Sequence, residues 1–281
     1  MRTILKTTFI GLSFITISCV SKKDTKFSES KFLTDSVYSK YLSEYRKHNI
    51  YLPKGYNKNK KYPIIYATDG DNDEEDMLKQ KTIFNSLIDY KIIKPLIFVA
   101  SYNNQKIADS TSMTLGNGEK VYLQYRNFEY VDRSDYTDDR SLIKRFSNHA
   151  SYFIKELIPE IEKNYNQNIN NTDRYFYGFS NGAGFGLSLL NSEPHIIGTY
   201  ICFSTFGEVQ SYNWKKNIKY PNLYLRYGSE EPIFLKQDAE YLKSNYKKIN
   251  SFIEVKEFEG GHDAKNWTRE FTEVISDILK E

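Results

Sequence analysis

Short apolar runs and longer amphipathic ones alternate along most of the chain. Seven runs rich in Ile, Val, Tyr and Phe predict strands at 48–53, 62–68, 94–101, 174–180, 198–204, 222–228 and 251–258. Several, such as "YPIIYAT" and "TYICFS", are apolar at successive rather than alternate positions, as strands covered on both faces are. Between them the spacing changes to three and four. Leu142, Phe146, Ala150, Phe153, Leu157, Ile158 and Ile161 share one face of a predicted helix over 141–163. Trp267, Phe271, Val274, Ile275, Ile278 and Leu279 do the same over 265–280, and Met77, Ile83, Phe84, Leu87 and Ile88 mark a third helix near 76–90. Strands alternating with helices build right-handed βαβ units. The expected class is therefore α/β, a mostly parallel, doubly wound sheet with helices on both faces. From about 103 to 140 the periodicity fades into a polar, Tyr-rich stretch too long for a plain connection, and loops of that length often carry function.

The N-terminus departs from this pattern. Arg2 and Lys6 flank the start of "TTFIGLSFITIS", an apolar stretch of signal-peptide length and too short to cross a bilayer. It ends at Ser18-Cys19, a small residue before a cysteine, and so resembles a bacterial lipoprotein signal. The resemblance implies that residues 1–18 are removed, that Cys19 is lipidated, and that the polar residues 19–43 tether a domain spanning 44–281. The expected location is the bacterial cell envelope, anchored to the outer membrane and facing the periplasm or the surface. Lys22-Lys23-Asp24 resembles the surface-export signal of Bacteroidetes lipoproteins. The alternative is an ordinary secretory signal that happens to contain Cys19.

Composition narrows the class of function. Without Arg2 and Lys6, 37 basic residues face 36 acidic ones, which gives no reason to expect a nucleic-acid partner. The second cysteine, Cys202, lies in an apolar strand and has no partner once Cys19 is acylated, so no disulfide framework is expected. Tyrosine is abundant, at 24 residues, and either lines a polar-rimmed groove or covers surface.

One stretch demands chemistry. "RYFYGFSNGAGFGLSLL" (174–190) holds four glycines within nine residues, although a glycine in a strand or helix interior costs roughly 0.5–1 kcal/mol against alanine. Gly178-Phe179-Ser180-Asn181-Gly182, between a strand and a helix, is the pattern of a nucleophile elbow. There a serine sits on a strained turn, and side chains two positions away on either side would collide. No GxGxxG or GxxxxGK[ST] phosphate loop is present. A serine nucleophile needs a base, and among His48, His149, His195 and His262 only His262 follows the last strand, in "FEGGHDAKNW", after a Gly260-Gly261 turn. The acid that orients it is expected after "LYLRYG". Glu231 fits best by spacing, with Glu230 as the alternative and Asp238 as a rival from the following helix. The oxyanion donors are expected to be the N–H groups of Asn181 and of Asp71, in the turn after the second strand. The acidic run "DGDNDEED" in that turn also suggests calcium but lacks the twelve-residue spacing of such a loop. No metal or cofactor is expected.

With these residues in order, the chain resembles the putative-esterase family, the esterase-D-like branch of α/β-hydrolases. That family includes S-formylglutathione hydrolase, feruloyl and acetylxylan esterases, siderophore esterases and mycolyltransferases. The match runs from about 44 to the C-terminus through "IYLPKGYNKNKKYPIIYATDG", "YRNFEY", "YFIKELIPEIEKNY", "YFYGFSNGAGFG" and "FEGGHDAKNW". It implies an α/β-hydrolase fold, Ser180 as nucleophile, His262 as base, an oxyanion amide just after Asp69-Gly70, and Arg126 in a structural or pocket-edge position. Glu-Glu stands where many members carry Asp, which leaves the acid open. The implied activity is hydrolysis of a carboxylic ester through an acyl-enzyme, the partner being a small-molecule or oligosaccharide ester and the substrate an acyl-carbohydrate or aryl ester. The alternatives are a siderophore trilactone esterase, an acyltransferase, a peptidase, or a binding lipoprotein with a decayed triad.

Overall fold

A computed structural model describes residues 28–71, 73–114 and 120–281. The signal segment, Cys19 and residues 20–27 lie outside the described residues, so the lipidation and localisation readings rest on sequence. An eight-stranded sheet runs in the order β1-β2-β4-β3-β7-β8-β9-β10. Its strands are β1 (Lys31–Ser39), β2 (Glu44–Leu52), β3 (Ile64–Ala67), β4 (Ile97–Ser101), β7 (Arg174–Phe179), β8 (Thr199–Phe203), β9 (Asn222–Gly228) and β10 (Ile253–Phe258). From β4 to β10 every pairing is parallel, whereas β2 pairs antiparallel with both β1 and β4. A separate two-stranded ribbon, β5 (Ile107–Thr114) and β6 (Lys120–Gln124), leads into α2 (Tyr125–Tyr130).

Both faces of the sheet are covered, which explains the unbroken apolar runs. Tyr66, Phe176, Tyr200 and Cys202 point into one core, under α4 (Arg145–Tyr152), α5 (Ile158–Asn164), α6 (Asn181–Ser192) and α7 (Ile233–Lys248). Their neighbours Ile65, Tyr177, Ile201 and Phe203 point into the other, under α1 (Glu74–Asp89) and α8 (Ala264–Ile278). Cys202 is a buried free thiol whose pKa burial pushes up, so it packs as a small apolar side chain.

Three local differences from the sequence reading have physical causes. The predicted helix over 141–163 is divided into α3 (Arg140–Ile143), α4, a π-helical turn (Phe153–Leu157) and α5. Pro159, in the first turn of α5, has no N–H to donate back, and the preceding turn widens. The tether expected through 43 contains β1, a polar and mostly exposed strand held by its antiparallel ladder to β2. Phe32 and Val37 pack against the two cores and Ser39 is buried, but these positions follow no single period, so the ladder more than any burial pattern marks it. The weakly periodic stretch 103–140 holds the β5–β6 ribbon and α2, and α2 proves central to the site.

Candidate active site

Ser180 sits between β7 and α6 with φ 54° and ψ −132°, a left-handed conformation that non-glycine residues adopt at a cost. Its N–H donates to the carbonyl of Phe203 (2.9 Å), and its own carbonyl accepts from Gly184 N (3.1 Å) and Phe206 N (3.2 Å). The flanking glycines are needed because no side chain fits. A Cβ on Gly178 would lie 2.7 Å from the Gly182 carbonyl oxygen, and one on Gly182 would lie 2.2 Å from Thr68 Oγ1. Asn181 opens α6, where the first N–H groups have no partner within the helix and the macrodipole adds positive charge.

His262 projects from the β10–α8 connection with its side chain 35% exposed, and its Nδ1 lies 2.6 Å from Oε1 of Glu231, whose side chain is fully buried. The carboxylate also accepts from Gly228 N (2.6 Å) and hydrogen-bonds Ser204. Burial alone would raise the Glu231 pKa. The hydrogen bonds from His262, the Gly228 N–H and Ser204 outweigh it, so the pKa falls below the usual glutamate value and the group is held as carboxylate. Ser204, itself at φ 49°, accepts from Trp267 Nε1 (2.8 Å). The imidazole is held edge-on between Phe206 (5.2 Å) and Trp267 (4.7 Å), and Trp267 stacks on Phe179 (4.4 Å). Phe206 therefore touches both the serine backbone and the histidine ring. No hydrogen bond joins the Ser180 hydroxyl to His262 among the described residues.

Glu230 is exposed, with no hydrogen bond to His262 among the described residues, and Asp238 bonds Gln210 (2.8 Å). The other histidines lie apart from this cluster. His48 and His149 are buried, and exposed His195 faces Glu193.

The turn after β3 is built with equal care. Asp69 adopts φ 54°, and its N–H donates to Tyr130 Oη (3.2 Å). Arg126 grips its carboxylate bidentately, Nε at 2.6 Å and Nη2 at 2.9 Å, and Asn103 adds a bond of 2.9 Å. Gly70 donates to the Ser101 carbonyl (2.8 Å) and accepts from Asn49 Nδ2 (2.7 Å), and a Cβ there would lie 2.2 Å from the Ala100 oxygen. With the Asp69 and Gly70 N–H groups engaged, Asp71 supplies the next donor along the turn, and its carboxylate bonds Gln105. Asp73 caps α1 through the Asp76 N–H (2.9 Å). The acidic run is thus occupied by structural bonds, and no three His, Cys, Asp or Glu side chains among the described residues converge to hold a metal.

Three residues of "YRNFEY" are accounted for here. Arg126 and Tyr130 hold Asp69, and Glu129, fully buried, ties α2 to β2 and α4 through Arg46 (2.9 Å to each oxygen) and Arg145 (2.6 Å). The sequence reading placed Arg126 at a structural or pocket-edge position but missed Asp69, Tyr130, Glu129 and Ser204. A dense aromatic-and-charge motif inside a polar stretch was the available signal.

A strained serine on the turn after a parallel strand, with a carboxylate-bound imidazole in the connection after the last strand, fits an α/β-hydrolase. The family model described as "Putative esterase" matches residues 39–278, and the chain belongs to that family; it is a carboxylic ester hydrolase. No curated protein sequence matches the chain. Solved structures share the fold at low identity. A ferulic acid esterase from the anaerobic fungus Anaeromyces mucronatus, in complex with ferulic acid, is 20% identical with TM-score 0.63, over 88% of this chain and 90% of that one. S-formylglutathione hydrolase from Staphylococcus aureus is 12% identical with TM-score 0.61, over 91% and 99%. An IroE-like serine hydrolase from Shewanella oneidensis is 16% identical with TM-score 0.58, over 89% and 80%.

Proposed function

We propose that the chain is a lipid-anchored serine esterase of the bacterial cell envelope that cleaves acyl-carbohydrate or aryl esters through a Ser180–His262–Glu231 triad. The observation that carries this reading is the 2.6 Å bond from His262 Nδ1 to the buried Glu231, at the sheet edge where Ser180 is lifted out of its strand. With Nδ1–H donating to the carboxylate, Nε2 keeps its lone pair for the serine proton. Ser180 Oγ attacks the ester carbonyl as His262 takes its proton. The charge that develops on oxygen is met by the N–H groups of Asn181 and Asp71. Collapse expels the alcohol, which receives the proton from His262, and leaves an acyl group on Ser180. Water then repeats the sequence and frees the acid. Phe179, Phe206 and Trp267 around the imidazole favour an aromatic substrate, as does the ferulic acid bound by a structural relative. The anchor rests on the Ser18-Cys19 signal alone.

A fluorophosphonate probe tests the reading. Wild-type protein is expected to be labelled covalently and to hydrolyse p-nitrophenyl acetate, and Ser180→Ala to do neither. Labelling that survives in Ser180→Ala, or a wild type inert to both reagents, would remove the proposal.

A further inference from the structure

A cavity of about 160 Å³ lies between α1 and α8, on the side of the sheet away from α6. Its floor is aromatic, with Phe84, Phe98 and Phe271. Its inner end is shared with the site: Thr68 and Asp69 belong to the turn after β3, Phe179 precedes Ser180, and Trp267 stands against the His262 ring. The Thr68 hydroxyl is not part of the slot, since it faces Gly182 in the first turn of α6, across the sheet, where a Cβ would lie 2.2 Å from its Oγ1.

We propose that this slot receives the apolar arm of the ester, one aromatic ring or a short alkyl chain. The proposal rests on the esterase reading above. The volume fits it, since an apolar protein cavity of about 150 Å³ holds one benzene. Burying a chain there raises kcat/KM by about three- to fourfold for each methylene that leaves water. The arm is either the acyl group or the alcohol, and the chemistry the slot recognises is the same for both.

Two ester series separate these sources. The first varies the acyl group of p-nitrophenyl esters from acetate to hexanoate and 3-phenylpropanoate. The second varies the alcohol of acetate esters from ethanol to hexanol and 2-phenylethanol. The wild type is expected to prefer the larger arm by about tenfold or more in one series, from the same gain per methylene. Ile83→Trp, on α1, and Thr268→Trp, at the mouth on α8, fill the slot from opposite helices, and each should cut that preference ratio about tenfold. Loss of preference in the acyl series assigns the slot to the acyl arm, and loss in the alcohol series assigns it to the leaving group. A wild type that hydrolyses esters with no preference, or a ratio untouched by both tryptophans, overturns the slot while leaving the esterase standing. A wild type that hydrolyses no ester and takes no probe overturns the esterase reading instead.

Discussion

At the scale of single residues, the site depends on which of two adjacent glutamates reaches the imidazole. Spacing from Gly228 favoured Glu231 but left Glu230 open, because both follow the same strand. The choice lies in the turn itself. Glu231 N donates to the Gly228 carbonyl (3.2 Å) and its carboxylate takes the Gly228 N–H, which folds Glu231 inward and leaves Glu230 outside. If Glu231 orients His262, Glu231→Ala should lower kcat on p-nitrophenyl acetate by roughly 10³–10⁴-fold, the scale of acid losses in comparable triads. Glu230→Ala, a surface change, should stay within about twofold. Equal losses, or the reverse order, would reject the assignment. The elbow glycines were legible because sterics at a tight turn act on sequence neighbours. Ser204 was not, since its contacts with Trp267 and Glu231 join residues distant in sequence.

At the scale of elements, the parallel strands were legible as unbroken apolar runs, because both of their faces are buried, and the helices that cover them by a period of 3.6. What escaped lacks such a period. β1 is held by backbone pairing, and α2 is too short to show a stripe. Yet α2 holds the turn that offers the Asp71 N–H, since Arg126 and Tyr130 fix Asp69 from one side and Glu129 fixes α2 to β2 and α4 from the other. On the proposed mechanism, Arg126 is thus a positioning residue for the oxyanion donor. Arg126→Ala should lower kcat roughly tenfold to a hundredfold, less than outright deletion of a donor, with KM for a small ester nearly unchanged. Arg126→Lys should recover only part of the loss, because an ammonium cannot grip Asp69 at two points. A change confined to KM, or to thermal stability with kcat intact, would show that the pair does not act on the turn. Removing the Glu129 carboxylate is a different event. It leaves the buried Arg46 and Arg145 with Glu44 as their remaining carboxylate, and Glu129→Ala should destabilise the fold by about 3 kcal/mol in a urea titration.

For the whole molecule, the same buried network sets a limit on acid. His149 lies fully buried on α4 among the rings of Tyr130, Tyr152 and Phe185. Burial pushes its pKa well below the usual histidine value, and the positive charges of Arg46 and Arg145 push it further. The Glu129 backbone and the Glu44 carboxylate pull upward and are outweighed. The folded protein therefore keeps this imidazole neutral, while the unfolded chain protonates it near pH 6.5. Protons accordingly favour the unfolded state. The contribution of His149 to stability is complete above about pH 7 and declines as pH falls through the unfolded value, by about 2 kcal/mol at pH 5 from this group alone. Burial also lowers the pKa of His48 on β2, with the Asp35 charge and the Arg46 backbone opposing it, and this adds a slope of the same sign. Comparison with a variant isolates the first term. His149→Phe keeps a ring among rings and removes the titration, so its unfolding free energy should fall less between pH 7 and 5 than that of the wild type, by about 2 kcal/mol. Chemical denaturation at both pH values reads this difference directly, whatever the variant's absolute stability at neutral pH. Parallel pH dependences would mean that a proton reaches this imidazole in the folded state, and that the core between α2, α4 and α6 opens to water.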